Sequence, residues 1–193
     1  MKIIFATNNK NKVEEIKHHS HQKFEIFTLQ EVGIDIDIPE PHDTLEANAT
    51  EKSATIYKLT NQAVFSEDTG LEVEALGGAP GVKSARYAGE GRNMQDNIDK
   101  LLAELKEKPS RAARFRTVVS LIINGKEYQF EGICQGHITH AQDGANGFGY
   151  DPVFIPVGSD ITFANMDISE KNKFSHRKKA VQQLIDFLND YQA

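Results

Sequence analysis

Residues 113–139 contain two long strand-like runs, "ARFRTVVSLII" and "KEYQFEGICQGHIT", that meet at Asn124-Gly125. Asn-Gly readily supplies the two consecutive positive φ angles of a type I′ turn, whose twist matches that of paired strands. A hairpin with arms this long commits the chain to a sheet, and the rest of the fold has to be built around it.

Upstream the pattern changes. "KIIFAT" is β-branched and aromatic and stops at a polar cluster, which predicts a first buried strand. From Lys12, Val13 and Ile16 repeat at helical spacing, so a short helix should end near the "HHSH" run. "FEIFTL" reads as a second strand, and "IDIDIPEPHD" as a strand tip leading into an exposed loop, because two prolines break its alternation. A second helix is expected over Thr44–Leu59. "AVFS" and "LEVEAL" read as two short strands, and "GGAPGVKSARYAGEG" as a glycine-rich loop whose Arg86 belongs to a tight turn in preference to a phosphate cradle. In "NMQDNIDKLLAELKEK", Ile98, Leu101, Leu102 and Leu105 share one helical face. A last helix should start near Ser175 and bury Val181, Leu184, Ile185 and Leu188. Helices alternating with strands, followed by a hairpin, predict an α/β protein with a mixed sheet. At 193 residues and 39% hydrophobic, one domain spanning 1–193 is expected, with a core large enough for two lobes.

A formal net charge of −6 argues against a general nucleic-acid or anionic-membrane binder but leaves room for a small anionic ligand where basic residues converge. The single cysteine, Cys134, excludes an intrachain disulfide and points to a reducing compartment; within a strand it reads as an inert buried thiol. No apolar run approaches a membrane span, so a cytoplasmic protein is expected.

Four stretches carry chemistry. "TNNKNK", Thr7 to Lys12, links a strand end to a helix start, where exposed N–H groups and Lys10 and Lys12 favour an anion; an ordinary polar helix cap is the alternative. In "SEDTG", Glu67 and Asp68 either cap a turn or hold a hard cation such as magnesium, with Glu40 in the proline-flanked loop as a further candidate. "NGFGYDP" places Phe148 and Tyr150 among glycines, as a stacking surface for a flat heterocycle or as plugs for the core. "SEKNKFSHRKKA" is the most basic stretch, and Ser175, His176 and Arg177 stand at the start of its helix. The histidines His18, His19 and His21 match no standard metal-ligand pair and are expected at a frayed helix end.

Together, "TNNKNKVEE", "SEDTGLEVEALGGAPGVKSARYAG", "NGFGYDPVF" and "SHRKKA" resemble the inosine triphosphate pyrophosphatase family, in order and over nearly the whole chain. The resemblance implies a two-lobed α/β fold around an elongated mixed sheet with flanking helices, an active site in the cleft between the lobes, and a homodimer. It implies magnesium-dependent hydrolysis of ITP, dITP or XTP to the monophosphate and pyrophosphate. By position, Thr7, Asn8, Asn9, Lys10, Asn11 and Lys12 would hold the polyphosphate. Asp68 would bind metal and activate water, with Glu40 as second ligand and Asp43 as its alternative. Thr69, Phe148, Gly149, Tyr150, Asp151, Lys171, His176 and Arg177 would contact the substrate. Three departures stand out: Glu67-Asp68-Thr69-Gly70 replaces Asp-Asp-Ser-Gly, "TLEANA" puts Ala47 where the family has glutamate, and "PEPHD" differs from the usual acidic loop. Competing readings are a nucleotide binder without catalysis and a pyrophosphatase for another modified nucleotide.

Overall fold

The computed structural model describes residues 1–17 and 24–191, so the three histidines at 18, 19 and 21 lie outside the described residues. The elements in chain order are β1 (Lys2–Phe5), α1 (Lys10–Lys17), β2 (Glu25–Thr28), α2 (Leu45–Thr60), β3 (Val64–Val73), β4 (Pro80–Gly81), α3 (Met94–Glu104), β5 (Ala112–Ile123), β6 (Lys126–Ile138), β7 (Phe154–Pro156), α4 (Ile168–Phe174) and α5 (His176–Asp190). The strands form one sheet in the order β2-β1-β3-β5-β6-β7, with β4 paired to β3. β1 is parallel to β2 and β3, whereas the β3–β4 and β6–β7 pairs are antiparallel, so the sheet is mixed as expected.

The hairpin forms where Asn124-Gly125 requires it. Asn124 has φ 50° and Gly125 φ 74°, the left-handed pair of a type I′ turn, between β5 and β6. Thr44 caps α2, its hydroxyl accepting from the Ala47 N–H at 3.2 Å, and Asn61 ends the helix at φ 50°. Asn93 caps α3 by accepting from Gln95 and Asp96 N–H. In α3, Ile98, Leu101 and Leu105 are buried and Leu102 is half-buried; in α5, Val181, Leu184, Ile185 and Leu188 are buried, as their spacing predicts.

Three local expectations change. The strand parts of "AVFS" and "LEVEAL" are one continuous strand, β3 (Val64–Val73), with Glu74–Leu76 a 3-10 turn after it, so Glu67 and Asp68 lie inside a strand and cap no turn. The polar run does not break the strand because its side chains find partners in the elements packed on either face, as described below. "IDIDIPEPHD" contains no strand; Ile34, Ile36 and Ile38 pack half-buried against a core while the segment stays irregular. The helix α4 was not expected from the sequence. Its start is marked by Asp167, which accepts from the Glu170 N–H at 2.8 Å, an Asp-x-x-Glu pattern of the capping-box type.

The chain divides into two compact units, one of Met1–Asp68, Thr117–Gly132 and Arg177–Ala193, the other of Thr69–Arg116 and Ile133–His176. In the first, successive strand residues feed two cores. Ile3, Phe5, Phe65, Val119 and Leu121 pack with Ile16 of α1 and the apolar face of α5, whereas Ile4, Ala6 and Val64 pack with Ile56 of α2. Phe5 and Phe65 stack at 4.5 Å, a contact of about 0.5–1.5 kcal/mol beyond the burial of the rings. In the second unit, Leu71, Val73, Ile98, Leu101, Tyr150, Phe154 and Phe163 share a core with Phe115 and the buried thiol of Cys134.

Gly136 of β6 shows how close the packing in the second unit is. A Cβ there would lie 2.3 Å from the Ile155 carbonyl oxygen and 2.5 Å from the Phe154 ring. Gly136→Ala is expected to destabilise the protein by roughly 1–3 kcal/mol, read as a lower urea midpoint at unchanged m-value.

Candidate functional site

In β3 the side chains alternate between two sets of partners. Ser66 and Asp68 meet α2: the Ser66 hydroxyl donates to the Ala49 carbonyl at 2.5 Å, and Lys52 Nζ donates to Asp68 Oδ1 at 3.0 Å. Ala49 and Lys52 stand three apart on α2 and Ser66 and Asp68 two apart on β3, so the two contacts are rungs of one helix-on-strand ladder. Lys52 also reaches Glu40 Oε1 at 2.5 Å, so two carboxylates converge on one buried ammonium. A further chain of hydroxyls holds α2 from β5 and β6. Ser53 and Ser120, both fully buried, are 2.7 Å apart, and Ser120 donates to Glu127, which also accepts from Thr50.

Glu67 faces the other way. Arg177 Nε lies 2.9 Å from both of its carboxylate oxygens and Lys12 Nζ 3.2 Å from one, while Arg177 Nη1 also bonds Glu15. Burial alone would raise the Glu67 pKa, but Arg177 and then Lys12 outweigh it and hold the carboxyl at about 2. Burial lowers the Arg177 pKa, yet Glu67 and Glu15 raise it on balance. Asp68 moves oppositely to Glu67: its burial raises the pKa and is only partly offset by Lys52 and Lys12. Burial favours a neutral Lys52, but Asp68 and Glu40 overcome that and keep it an ammonium. Two adjacent carboxylates therefore differ in character, one locked as an anion and the other with a raised proton affinity.

The segment Thr7–Lys12 forms the polar helix cap that is one of its two sequence readings. Asn9 caps α1, its side-chain oxygen accepting from the N–H groups of Asn11 at 3.0 Å and Lys12 at 3.3 Å, and Thr7 Oγ1 accepts from Asn9 N–H. Asn8 donates to the Ile36 carbonyl at 2.8 Å. Asn8, Asn9, Lys10 and Asn11 are nonetheless exposed, so a helix start with a cation beside it faces solvent.

The second unit holds a separate cluster. Asp151 Oδ2 accepts from Lys171 Nζ at 2.7 Å and from the Phe148 N–H at 2.9 Å. The Lys171 ammonium also lies 5.2 Å from the Phe148 ring centre and 5.4 Å from that of Phe163. Gly147, at φ 79°, cannot carry a side chain here, because a Cβ would lie 2.2 Å from Asp151 Oδ2. Tyr150 is a core residue whose hydroxyl donates to the Ser84 carbonyl at 2.8 Å, so of the two aromatics only Phe148 is half-exposed. Gly149 has φ 63° with open space around it. His176 is buried and stacked on Phe115 at 4.7 Å, and Thr69 is half-buried.

Sequence reading missed Lys52. The available signal was the lysine four residues after Asn48 on a helix otherwise buried on that face, a position that demands an anionic partner. Of the acidic candidates, the structure brings Glu40 to Asp68 through Lys52, whereas Asp43 is exposed and Glu46 half-buried. Among the described residues no three His, Cys, Asp or Glu side chains gather as a ready metal cage. Two converging carboxylates still fit magnesium, which takes one or two and fills its remaining positions with water and phosphate oxygens.

Fold and clusters together define a mixed-sheet α/β protein with buried ion-pair clusters in both units. Comparison with protein families matches residues 3–187 to the Ham1 family. The dITP/XTP pyrophosphatase of Porphyromonas gingivalis is 51% identical over 188 residues, spanning 97% of each chain. That of Flavobacterium johnsoniae is 48% identical over 188 residues, spanning 97% of this chain and 98% of its own. The structure of the Staphylococcus aureus Ham1 protein matches at TM-score 0.89 and 37% identity over 98% of each chain. The chain belongs to the Ham1 family.

The buried ion pairs make stability depend on acid. Above pH about 4.5, Glu67 is ionised whether the chain is folded or unfolded; below it the unfolded chain takes up a proton that the folded site, with its carboxyl at about 2, refuses. Stability is therefore expected to fall as pH drops from about 4.5 towards 2, by on the order of 3 kcal/mol from this group. Urea unfolding across that window checks it, and Glu67→Gln should flatten the slope.

Proposed function

We propose that the chain is a magnesium-dependent pyrophosphatase that converts ITP, dITP and XTP to the monophosphate and pyrophosphate. The observation that carries this reading is the pair of adjacent carboxylates with opposite character: Glu67 bound to Arg177, and Asp68 bound to Lys52 and neighbouring Glu40. The names of the relatives supply the substrate class. Glu40 and Asp68 would hold the magnesium ion, which supplies charge neutralisation at the phosphates.

The remaining roles fall to residues of the chain. Asp68, beside Lys52 and Glu40, takes a proton from the attacking water as the new O–P bond forms at the α-phosphorus and the bond to the β-phosphate breaks. Lys52 offsets the charge that gathers on the equatorial oxygens of the α-phosphate. Asn8 to Asn11, with Lys10 and Lys12 and the start of α1, bind the departing pyrophosphate. Thr69 follows Asp68 in β3 and contacts the substrate. For the base, Phe148 offers a face, Gly149 permits close approach, and Asp151 holds the Phe148 backbone and Lys171 in place. Tyr150 shapes this loop from the core. His176 supplies a donor to the 6-oxo group of hypoxanthine or xanthine, where adenine presents a donor of its own. Arg177 acts through Glu67, fixing the start of α5 behind His176. In this reading the 193 residues act as one catalytic domain, paired as a homodimer in the cytoplasm. No helix among the described residues is long and apolar enough to cross a membrane.

Pyrophosphate release from ITP, XTP, dITP, ATP and GTP, with and without magnesium, tests the reading; release from the first three, far above the others and only with magnesium, is expected. Comparable release from ATP would overturn it. Asp68→Asn should keep the fold and lose at least about a thousandfold in kcat, and Lys52→Met should lose about a hundredfold or more.

A further inference from the structure

Beyond Ile38, whose packing anchors the stretch before it, the residues on either side of Glu40 can do little to hold it. Residues 34–43 have no regular secondary structure, and the prolines at 39 and 41 on either side of Glu40 have no N–H to donate. The first backbone N–H after Glu40 is that of His42, and it is taken by a side chain from α2. His42 N–H donates to Asn48 Oδ1 at 2.9 Å, and Asn48 Nδ2 donates back to the His42 carbonyl at 3.0 Å. Asn48 is fully buried, and a carboxamide can meet the N–H and the C=O of one residue together only in this orientation. Four residues on, hence on the same face of α2, Lys52 takes the Glu40 carboxylate.

We propose that Asn48 is a positioning residue for Glu40: its grip on the His42 backbone holds the loop so that the Glu40 carboxylate faces Asp68 before a cation arrives. Lys52 also holds Glu40, but a cation entering beside the two carboxylates competes with that ammonium for the same oxygens. The Asn48 contact lies outside this competition and keeps the loop in place throughout. Without it, part of the binding free energy of the cation is spent on ordering the loop, and apparent affinity falls by the fraction of molecules already in position. The inference rests on Glu40 and Asp68 as the cation-holding pair.

The test measures Mn²⁺ binding to the ligand-free full chain, following free Mn²⁺ by electron paramagnetic resonance, with ITP turnover assayed in parallel. Asn48→Ala is expected to weaken Mn²⁺ about tenfold, the equivalent of one to two net hydrogen bonds. His42→Ala, which removes only the ring's long, exposed 3.4 Å contact with Glu51 and keeps the backbone grip, should bind like the wild type. His42→Pro, which leaves Asn48 intact but removes the N–H, should weaken binding at least threefold. Equal Mn²⁺ affinity in the wild type and Asn48→Ala overturns the proposal, even if the variant melts earlier, and so does a wild type that binds no Mn²⁺. Should Asn48→Ala fail to fold, His42→Pro read against His42→Ala decides in the same way. The expected Mn²⁺ series without ITP turnover would overturn the pyrophosphatase reading and leave Asn48 its role; turnover with a flat series would do the reverse.

Discussion

The contact on which the first unit most depends is the one between Glu67 and Arg177. Neither charge is tolerable alone at such depth, since removing one partner of a buried pair typically costs about 3–5 kcal/mol. Each therefore dictates where the other's element goes. Arg177 stands in the first turn of α5, where a cation is disfavoured by the helix dipole, and it is held there by Glu67 and Glu15. Lys12 of α1 completes the group. One carboxylate of β3 thus ties two helices to the sheet face they cover, and Phe5, Phe65 and the apolar residues of α5 fill the space around that tie.

On the opposite face the fastening is made of hydroxyls and amides. Ser66, Ser53, Ser120 and Asn48 are all fully buried, and each meets its hydrogen-bonding need at the surface of α2. These bonds carry direction, which apolar contacts do not, and direction is what a lysine shared between two carboxylates needs. The first unit therefore combines a face held by charge and packing with a face held by aimed hydrogen bonds, and Asp68 belongs to the second. In the other unit Asp151 plays a comparable part on a smaller scale, using one oxygen to orient both an ammonium and a backbone N–H.

Much of this was legible in the residues. The Asn-Gly hairpin, the apolar faces of α3 and α5, the extent of α2 and the mixed α/β class all follow from local rules, because each depends on neighbours in sequence. The division of β3 into two short strands failed because period and composition treat Glu67 and Asp68 as strand breakers. Only their long-range partners, Arg177 and Lys52, make them acceptable inside a strand, and a local window does not contain these. The partner of Asp68 escaped for the same reason: in "TEKSATIYK" Lys52 looks like a solvated helix residue. Tyr150 shows the converse, an aromatic in a glycine-rich loop whose alternatives, stacking surface or core plug, are separated only by its bond to the Ser84 carbonyl.

The alternation along β3 also bears on how the chain finds its strand pairing. A slip of one residue would carry Glu67 to the α2 face and Asp68 towards Arg177, and it would turn Phe65 out of the core that holds Phe5. Aspartate is one methylene shorter than glutamate, so it could not span the same gap to the guanidinium, and Ser66 would lose the Ala49 carbonyl at the same time. Misaligned sheets are thus penalised by charge, by length and by an orphaned hydroxyl together. Deletions or insertions between Val64 and Asp68 should accordingly be far harder for this lineage to accept than substitutions there.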